Sequence, residues 1–396
     1  MENIKDTIKE LSAEFEPRAI EIRRHLHSIA ELSFEEHKTC EYISQKLAEA
    51  GIAFSRVAST GLIARLEGTL DSSDEVVVLR ADIDALPIIE TVDVSFASEN
   101  KGVMHACGHD MHAATLLSTL IMLSTNLHLF KGTILGLFQP GEELCPGGAS
   151  LVLKEHPFEG LNIKGFIGQH VDAAIKSGCV GLRAGQYMAS SDELRITVNG
   201  RGGHAALPHT TIDPIVPAAK ILLEVKAIAQ QQNLPAPTII AIGKVSAEGA
   251  TNVIPSKTYM EGTMRTFSEP WRAEIKQQIK QIADRIASEH GATANVDIAD
   301  GYPCVYNNPQ VTEFAKGVMC SLWGAENVED LDLRMTSEDF GFYTEYYPCL
   351  FYRLGVQYND SRSCGVSHNS NFNPDESALK IGMSTFAVLA ISLLNN

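Results

Sequence analysis

Residues 131–143, KGTILGLFQPGEE, combine the pattern of a buried strand with a pair of acidic residues. The apolar run at 133–138 predicts a buried strand, and the Pro-Gly pair that follows predicts its end. Two carboxylates, Glu142 and Glu143, come directly after this break. Ligands of α/β proteins bind at the carboxyl ends of the parallel strands. The segment therefore predicts both a strand and part of a site.

Helix-like and strand-like segments alternate on both sides of this strand. Further apolar runs that predict strands lie at 61–66, 76–79 and 165–168. Segments of helical character lie at 4–50 (with breaks near Pro17 and near 30–33), at 110–128 and at 147–155. Such alternation is typical of an α/β layer with a mainly parallel sheet.

From about residue 188 the pattern changes. Strands are predicted at 192–198, 238–245, 257–266 and 294–298, and helices at 213–231 and 269–290. The order β-α-β-β-α-β is that of a ferredoxin-like α+β unit. Because α/β character resumes after Gly301, we predict that residues 188–301 are a domain inserted into one formed by residues 1–187 and 302–396.

The charge balance limits the classes of partner. The chain of 396 residues has 49 Asp and Glu against 32 Lys and Arg, a net charge of −17. This argues against nucleic acid or an anionic membrane as the main partner, since both are bound by clustered positive charge. The apolar stretches at 112–130 and 381–394 are predicted to be buried helices rather than membrane spans.

The first residues and the cysteines indicate the compartment. The amino-terminal segment has mixed charge and lacks the apolar core of a secretory signal. Eight cysteines are spread along the chain without a CxxC pair, so neither a zinc ribbon nor a disulfide framework is indicated. We expect a cytoplasmic protein.

The densest polar cluster is MHACGHDMH at 104–112. Cysteine and histidine two residues apart project to one side of an extended turn, which suits a divalent metal of intermediate softness. The alternative is a loop with scattered histidines. The polar candidates in this motif are His105, Cys107, His109, Asp110 and His112.

Three further segments supply donors. Adjacent Glu142 and Glu143 can divide labour between a general base and a metal ligand, although an exposed acidic loop is an alternative. FIGQHV places His170 at the end of a strand, where a hydrogen-bonded structural histidine is the alternative. VSHNSNF carries His368 in what is otherwise an ordinary polar loop. Together with Cys107 and His109 these residues form a far stronger signal than any one of them.

An ordered set of motifs then points to a family. They are RRHLHSIAELSFEEHKT, LRADIDALPI, MHACGHDMH, QPGEE, GQHV, GRGGHAALPH, TNVIP and GTMRTF. The chain resembles the aminoacylase-type metal-dependent amidohydrolases and metallopeptidases from about residue 20 to 390. Within them it is similar to the branch of hippurate hydrolase and of the hydrolases of indole-acetyl amino acids.

The resemblance implies a metal site and a base. The fold would be a phosphorylase/hydrolase-like α/β catalytic domain with an inserted lid and dimerisation domain, carrying two divalent ions (manganese, zinc, cobalt or nickel) per subunit. Cys107 would bridge the ions, a role that an aspartate has in carboxypeptidase relatives, and Glu142 would be the general base and then the acid. The remaining ligands would be His109, Glu143, His170 and His368.

The resemblance also implies residues around the ligands. Asp82 and Asp110 are expected beside the metal ligands, not on the metals, with a structural role as the alternative for Asp82. The relatives' His-x-Asp ligand motif corresponds here to 80–82, Arg-Ala-Asp, so that histidine is absent. His204 would polarise the scissile carbonyl in the partner subunit's site, or be a turn residue. Asn252 and Arg265 would bind substrate oxygens, with a strand cap and a surface charge as the respective alternatives.

The predicted function is hydrolysis of N-acyl amino acids, such as N-acetyl or N-benzoyl ones, to a carboxylate and a free amino acid. The partners expected are this small-molecule substrate and a second subunit that dimerises through the insert. Three alternatives stay open: a dipeptidase or carboxypeptidase, a non-catalytic metal-binding module, and a hydrolase with Cys107 as nucleophile. A cysteine hydrolase would survive chelation, which separates it from the metal enzyme.

Overall fold

The structure, a computed structural model, describes the backbone of residues 2–396 and the side chains of residues 4–396. The chain divides into two compact units. The larger unit contains the described residues up to Gly185 together with Tyr306–Asp332 and Phe342–Asn396. The smaller unit contains Gln186–Val305 and Leu333–Gly341.

The elements of the described chain follow one another as alternating strands and helices. The strands are β1 (Ala53–Val57), β2 (Gly61–Glu67), β3 (Glu75–Asp82), β4 (Thr133–Gln139), β5 (Asn162–Lys176), β6 (Val180–Leu182), β7 (Gly185–Met188), β8 (Asp192–Asn199), β9 (Gly203–His204), β10 (Thr238–Ser246), β11 (Val253–Ile254), β12 (Lys257–Thr266), β13 (Thr293–Asp300), β14 (Val305–Asn307), β15 (Val328–Asp330) and β16 (Cys349–Gln357). The α-helices are α1 (Glu2–Ser28), α2 (His37–Glu49), α3 (His109–Ser124), α4 (Gly148–Lys154), α5 (Ile215–Ile228), α6 (Glu269–Glu289), α7 (Pro309–Trp323), α8 (Gly341–Thr344) and α9 (Ala378–Asn395). Short 3-10 helices lie at Leu127–Leu129, Pro208–Thr210 and Ala325–Asn327.

The larger unit is built on an eight-stranded sheet in the order β1-β2-β4-β3-β5-β16-β6-β15. Its centre, β4-β3-β5-β16, is parallel, and so is the pair of β6 with β15. The pairs β1–β2, β2–β4 and β16–β6 are antiparallel. The prediction of a mixed α/β fold with a mainly parallel sheet is confirmed. Two of the polar motifs lie at carboxyl ends of its central strands: LRADIDALPI at the end of β3 and QPGEE at the end of β4.

Two of the helices are buried in this unit. All residues of α3 from His109 to Leu123 are buried. Helix α9 is long and apolar enough to cross a membrane by length and composition alone, but 83% of it is buried inside the fold. Burial of this kind is the property of a core helix, so the prediction of two buried helices is confirmed. The helix at the end is longer than the predicted 381–394.

Three elements of the structure differ from the sequence expectations. Helix α1 runs through Pro17 without a break. Its apolar face, including Ile22 and Leu26, is buried in the main core, and this burial offsets the hydrogen bond that proline removes. Strand β1 was not predicted, since four of its five residues are exposed and give no alternation. Strand β16 was not predicted either, because a short continuous apolar run fits a buried helix equally well.

The smaller unit contains a four-stranded antiparallel sheet in the order β10-β12-β8-β13. Along the chain its main elements follow the order β8, α5, β10, β12, α6, β13. The hydroxyl of Ser268 accepts the Trp271 amide at 3.4 Å, which caps α6. The short strands β9 and β11 pair in a separate two-stranded ribbon.

Candidate active site

The five predicted ligands belong to the larger unit, in loops, at the start of α3 and within β5. Because β5 continues past His170 to Lys176, the predicted strand end at His170 is wrong. Cys107 is in the loop before α3, and His109 is the first residue of that helix. Gly108 between them has φ +90°, and a Cβ there would lie 2.5 Å from the Val171 side chain. Only glycine fits this turn, which lets the side chains before and after it point to one site.

The structure brings these five residues together. Donor atoms of Cys107, His109 and His170 lie within 4.8 Å of one another, and so do those of Cys107, Glu143 and His368. The Cys107 thiol is therefore common to two groups of three donors. Its Sγ is 3.4 Å from His170 Nε2, and Glu143 Oε1 is 3.3 Å from His368 Nε2. Such an arrangement can hold two ions that share one bridging ligand.

The orientation of His109 fits a metal ligand. Its Nδ1 donates to the backbone oxygen of Asp84 at 2.9 Å and faces the Asp84 carboxylate at 3.1 Å. Its Nε2 is buried and has no hydrogen-bond partner among the described residues. A histidine ligand is normally held in this way, with one nitrogen fixed by an oxygen and the other directed at the metal. The thiol and imidazole donors fit zinc, cobalt or nickel, and the carboxylate also accepts manganese.

The protein environment disfavours Cys107 as a nucleophile. Burial, and next the negative charge of Glu143, raise the pKa of the Cys107 thiol to about 12. Nucleophilic cysteines have a lowered pKa instead. A bound divalent cation would supply the positive charge that deprotonates this thiol. Burial and the charge of Arg353 hold the pKa of His170 well below its usual range, so that its imidazole is neutral, as ligation requires.

Two other histidines of the MHACGHDMH motif, His105 and His112, differ from His109 in their surroundings. His112 donates from Nδ1 to Asp82, and its Nε2 accepts the Val171 amide at 2.9 Å. Both of its nitrogens are used, so His112 holds β5 against α3. Burial lowers the pKa of His105 to about 4, and neither of its ring nitrogens has a hydrogen-bond partner in the described chain. Neither histidine belongs to the two donor groups that share Cys107.

Asp82 and Asp110 lie in different places. Asp82 is buried beside a predicted ligand, with Oδ2 accepting from Arg80 at 2.6 Å and lying 3.8 Å from His109 Nε2. Asp110 instead accepts from Arg23 Nε at 2.7 Å and from His27 Nδ1 at 2.9 Å, both on α1. Successive residues of a helix point about 100° apart, which turns Asp110 away from the side of His109.

Glu142 and Asp84 complete the site. Glu142 is 6% exposed, and its carboxylate lies within 4.8 Å of donors of His109 and Glu143. Asp84 is buried and has contacts with two predicted ligands: besides facing His109, it accepts the Glu143 amide at 2.9 Å. Asp84 was not predicted from the sequence. The available signal was the second acid of LRADIDALPI, which follows Asp82 by two residues at the end of β3.

Replacement of Asp84 by alanine is expected to lower metal affinity about 10–100-fold, because the Glu143 amide loses the carboxylate that accepts it and His109 keeps only the backbone oxygen of residue 84. Competition titration with a chromogenic zinc chelator would measure this. Ser33→Ala is the matched control, since it removes only the 2.7 Å hydrogen bond from Ser33 to the same carboxylate. Equal affinity in Asp84→Ala and the unaltered protein would contradict the role given to Asp84.

Three predicted substrate residues belong to the smaller unit. His204 in β9 and Asn252 just before β11 are exposed and lie on the same ribbon, where the Asn252 backbone oxygen accepts the Ala205 amide at 3.0 Å. Arg265 in β12 donates to the Met335 backbone oxygen at 3.0 Å. It also lines a cavity of about 490 Å³. The other lining residues are Ile239, Thr263, Arg334, Met335 and Thr336.

The chain is similar to enzymes that hydrolyse amides. It is 38% identical over 305 residues to the N-acyl-L-amino acid amidohydrolase of Geobacillus stearothermophilus, covering 76% of this chain and 81% of that one. It is 36% identical to the N-acetyl-L-cysteine deacetylase of Bacillus subtilis, covering 92% and 85%. It is 35% identical to thermostable carboxypeptidase 2 of Saccharolobus solfataricus, covering 100% and 99%.

A solved structure and a family model agree with these relatives. The structure is that of a Bacillus subtilis protein described as a dinuclear metal-binding peptidase from the M20 family. It has a TM-score of 0.82 and 32% identity, over 97% of this chain and 99% of that one. The model of peptidase family M20/M25/M40 matches residues 78–392. The chain belongs to peptidase family M20/M25/M40, as its motifs predict.

Proposed function

We propose that this protein is a metal-dependent amidohydrolase that splits N-acyl amino acids into a carboxylate and a free amino acid. The observation that carries the proposal is the pair of donor groups that share Cys107, with the buried Glu142 beside them. The names of two relatives, an N-acyl-L-amino acid amidohydrolase and an N-acetyl-L-cysteine deacetylase, support amides of amino acids as substrates.

The residues of the larger unit would have two roles, metal binding and proton transfer. When bound, two divalent ions would lower the pKa of water and polarise the acyl carbonyl. Cys107, His109, Glu143, His170 and His368 would hold them. Glu142 would accept the proton of the attacking water and pass it to the leaving amine, which general acid–base catalysis requires of one well-placed group.

The smaller unit would bind the substrate and a second subunit. Residues 188–301 correspond in this proposal to a lid and dimerisation domain. Its exposed ribbon would place His204 at the scissile carbonyl in the partner subunit's site, with Asn252 next to it. Arg265 would bind the carboxylate of the amino acid, since its guanidinium can form two parallel hydrogen bonds to one carboxyl group. A second arginine on the same cavity, Arg334, supports an anionic ligand.

The metal pair is the part of the proposal that the donor set supports most directly. Thiol and imidazole donors favour zinc, cobalt or nickel, whereas the Glu143 carboxylate would also accept manganese. The relative described as dinuclear supports two ions. All eight cysteines lie in the described part of the chain and none forms a disulfide there, which supports action in the reducing cytoplasm.

A substrate panel tests the function. Chelated protein, and then the same protein given manganese, zinc, cobalt or nickel, would be incubated with N-acetyl, N-benzoyl and indole-acetyl amino acids and with dipeptides. We expect metal-restored release of free amino acid from the N-acyl compounds. Release from the peptides alone would favour the peptidase function that the carboxypeptidase relative suggests. No turnover with two metals bound would contradict both.

A further inference from the structure

The side chain of Glu36 is a buried carboxylate that does not cap the helix that follows it. It lies directly before α2, yet its side chain makes no capping hydrogen bond to that helix. Its exposed fraction is 0%. A buried charge is costly unless it is well paired, so its partners identify what it stabilises.

Those partners include the loop after β4. Glu36 Oε1 accepts the Gly141 amide at 2.8 Å and the Phe34 amide at 2.8 Å. Its Oε2 accepts the Thr60 hydroxyl at 2.6 Å. Gly141 has φ +59°, and a Cβ on it would lie 2.2 Å from the Phe34 ring. The carboxylate and the ring therefore hold the same peptide unit from the same segment of chain.

A neighbouring acid performs the capping that Glu36 does not. The Glu31 carboxylate accepts the Thr39 amide at 3.0 Å, the Thr39 hydroxyl at 3.1 Å and the Lys38 amide at 3.2 Å. These are amides of the first turn of α2, which have no partners inside the helix. Glu31 thus stabilises α2, and Glu36 is available to stabilise the loop.

The loop is fixed on both sides of Glu142. The amide before it, that of Gly141, donates to Glu36, and the amide after it, that of Glu143, donates to Asp84 at 2.9 Å. Hydrogen bonds from N–H groups to charged acceptors are about twice as strong as neutral ones. With both flanking amides held by buried carboxylates, the backbone that carries Glu142 has little freedom to move.

We propose that Glu36 is a positioning residue that holds Glu142 in place for proton transfer by anchoring the Gly141 amide. This proposal rests on the proposed function. Glu36 acts on the backbone and is not itself a catalytic residue. A displacement of a reacting group by about 1 Å can cost about 100-fold in rate, which sets the scale of the effect.

Alanine variants of Glu36 and Glu31 form a matched pair, because each removes one buried or half-buried carboxylate that binds backbone amides of the same region. In Glu36→Ala we expect kcat to fall about 10–100-fold, with KM and metal content within about twofold of the unaltered protein. In Glu31→Ala we expect a lower Tm and an unchanged kcat. Glu36→Gln should restore most of kcat, since its amide oxygen still accepts the Gly141 and Phe34 amides.

Hydrogen exchange supplies a readout that does not depend on turnover. Mass spectrometry of a peptide covering 139–148 should show faster exchange in Glu36→Ala but not in Glu31→Ala. Unchanged exchange or unchanged kcat in Glu36→Ala would overturn the proposal, and so would an equal loss of kcat in Glu31→Ala. If the unaltered protein is inactive on every substrate, the proposed function fails, whereas the exchange experiment still tests the anchor.

Discussion

Replacement of Glu142 by glutamine is expected to lower kcat about 10²–10⁴-fold, the usual contribution of a general base, while metal content stays the same. Glutamine has the same shape as glutamate but cannot accept the proton. Glu142 is suited to this role because it is buried beside donors of His109 and Glu143 without belonging to the two groups that share Cys107. Steady-state kinetics together with metal analysis by mass spectrometry would measure both quantities.

The adjacent acid gives the control. Glu143→Gln should lose metal affinity first and activity as a consequence, because Glu143 belongs to a donor group with Cys107 and His368, its Oε1 lying 3.3 Å from His368 Nε2. Excess metal should then recover part of the activity of Glu143→Gln but none in Glu142→Gln. Full activity in Glu142→Gln would remove Glu142 as the base, and loss of metal from it would make it a ligand.

Four of the five predicted donors come with a local sequence pattern, whereas His368 lies in an ordinary polar loop. Glu143 and His170 follow or end apolar runs, and parallel strands bring such positions to one edge of a sheet. Cys107 and His109 are separated by one glycine, and a single turn at this glycine brings their side chains close together. The motifs fix these positions before any tertiary contact is known.

The groups that orient the donors could not be predicted in this way. Asp84 meets His109 across 25 residues of sequence and the Glu143 amide across 59, and Glu36 meets the Gly141 amide across 105. Such contacts depend on how loops pack on one another, which periodicity does not encode. The surroundings of Asp110 could not be predicted either, because the direction of its side chain relative to His109 depends on the residue at which α3 begins.

Replacement of Cys107 separates the metal enzyme from the cysteine hydrolase. In Cys107→Ala we expect a loss of metal affinity greater than the 10–100-fold typical of residues that only orient ligands, and no turnover. In Cys107→Asp we expect partial activity, because a carboxylate can bridge two cations, as the resemblance implies for carboxypeptidase relatives. A nucleophile would be lost equally in both variants. Equal inactivity with full metal content in both would therefore contradict the role as a bridging ligand.

The rate of alkylation also tests whether Cys107 is a metal ligand or a nucleophile. The pKa of about 12 that burial and Glu143 give the Cys107 thiol leaves it almost fully protonated at neutral pH, so iodoacetamide should modify it slowly. Added zinc should slow the reaction further, since a coordinated thiolate is no longer free to attack. Cys145 is exposed and serves as the reference for the alkylation rate in metal-free protein, since it lies only two residues after Glu143 and metal could alter its own rate. Modification of Cys107 that is faster than that of Cys145 would instead indicate an activated, nucleophilic thiol. The comparison of the two rates therefore distinguishes a metal-ligating cysteine from a cysteine nucleophile.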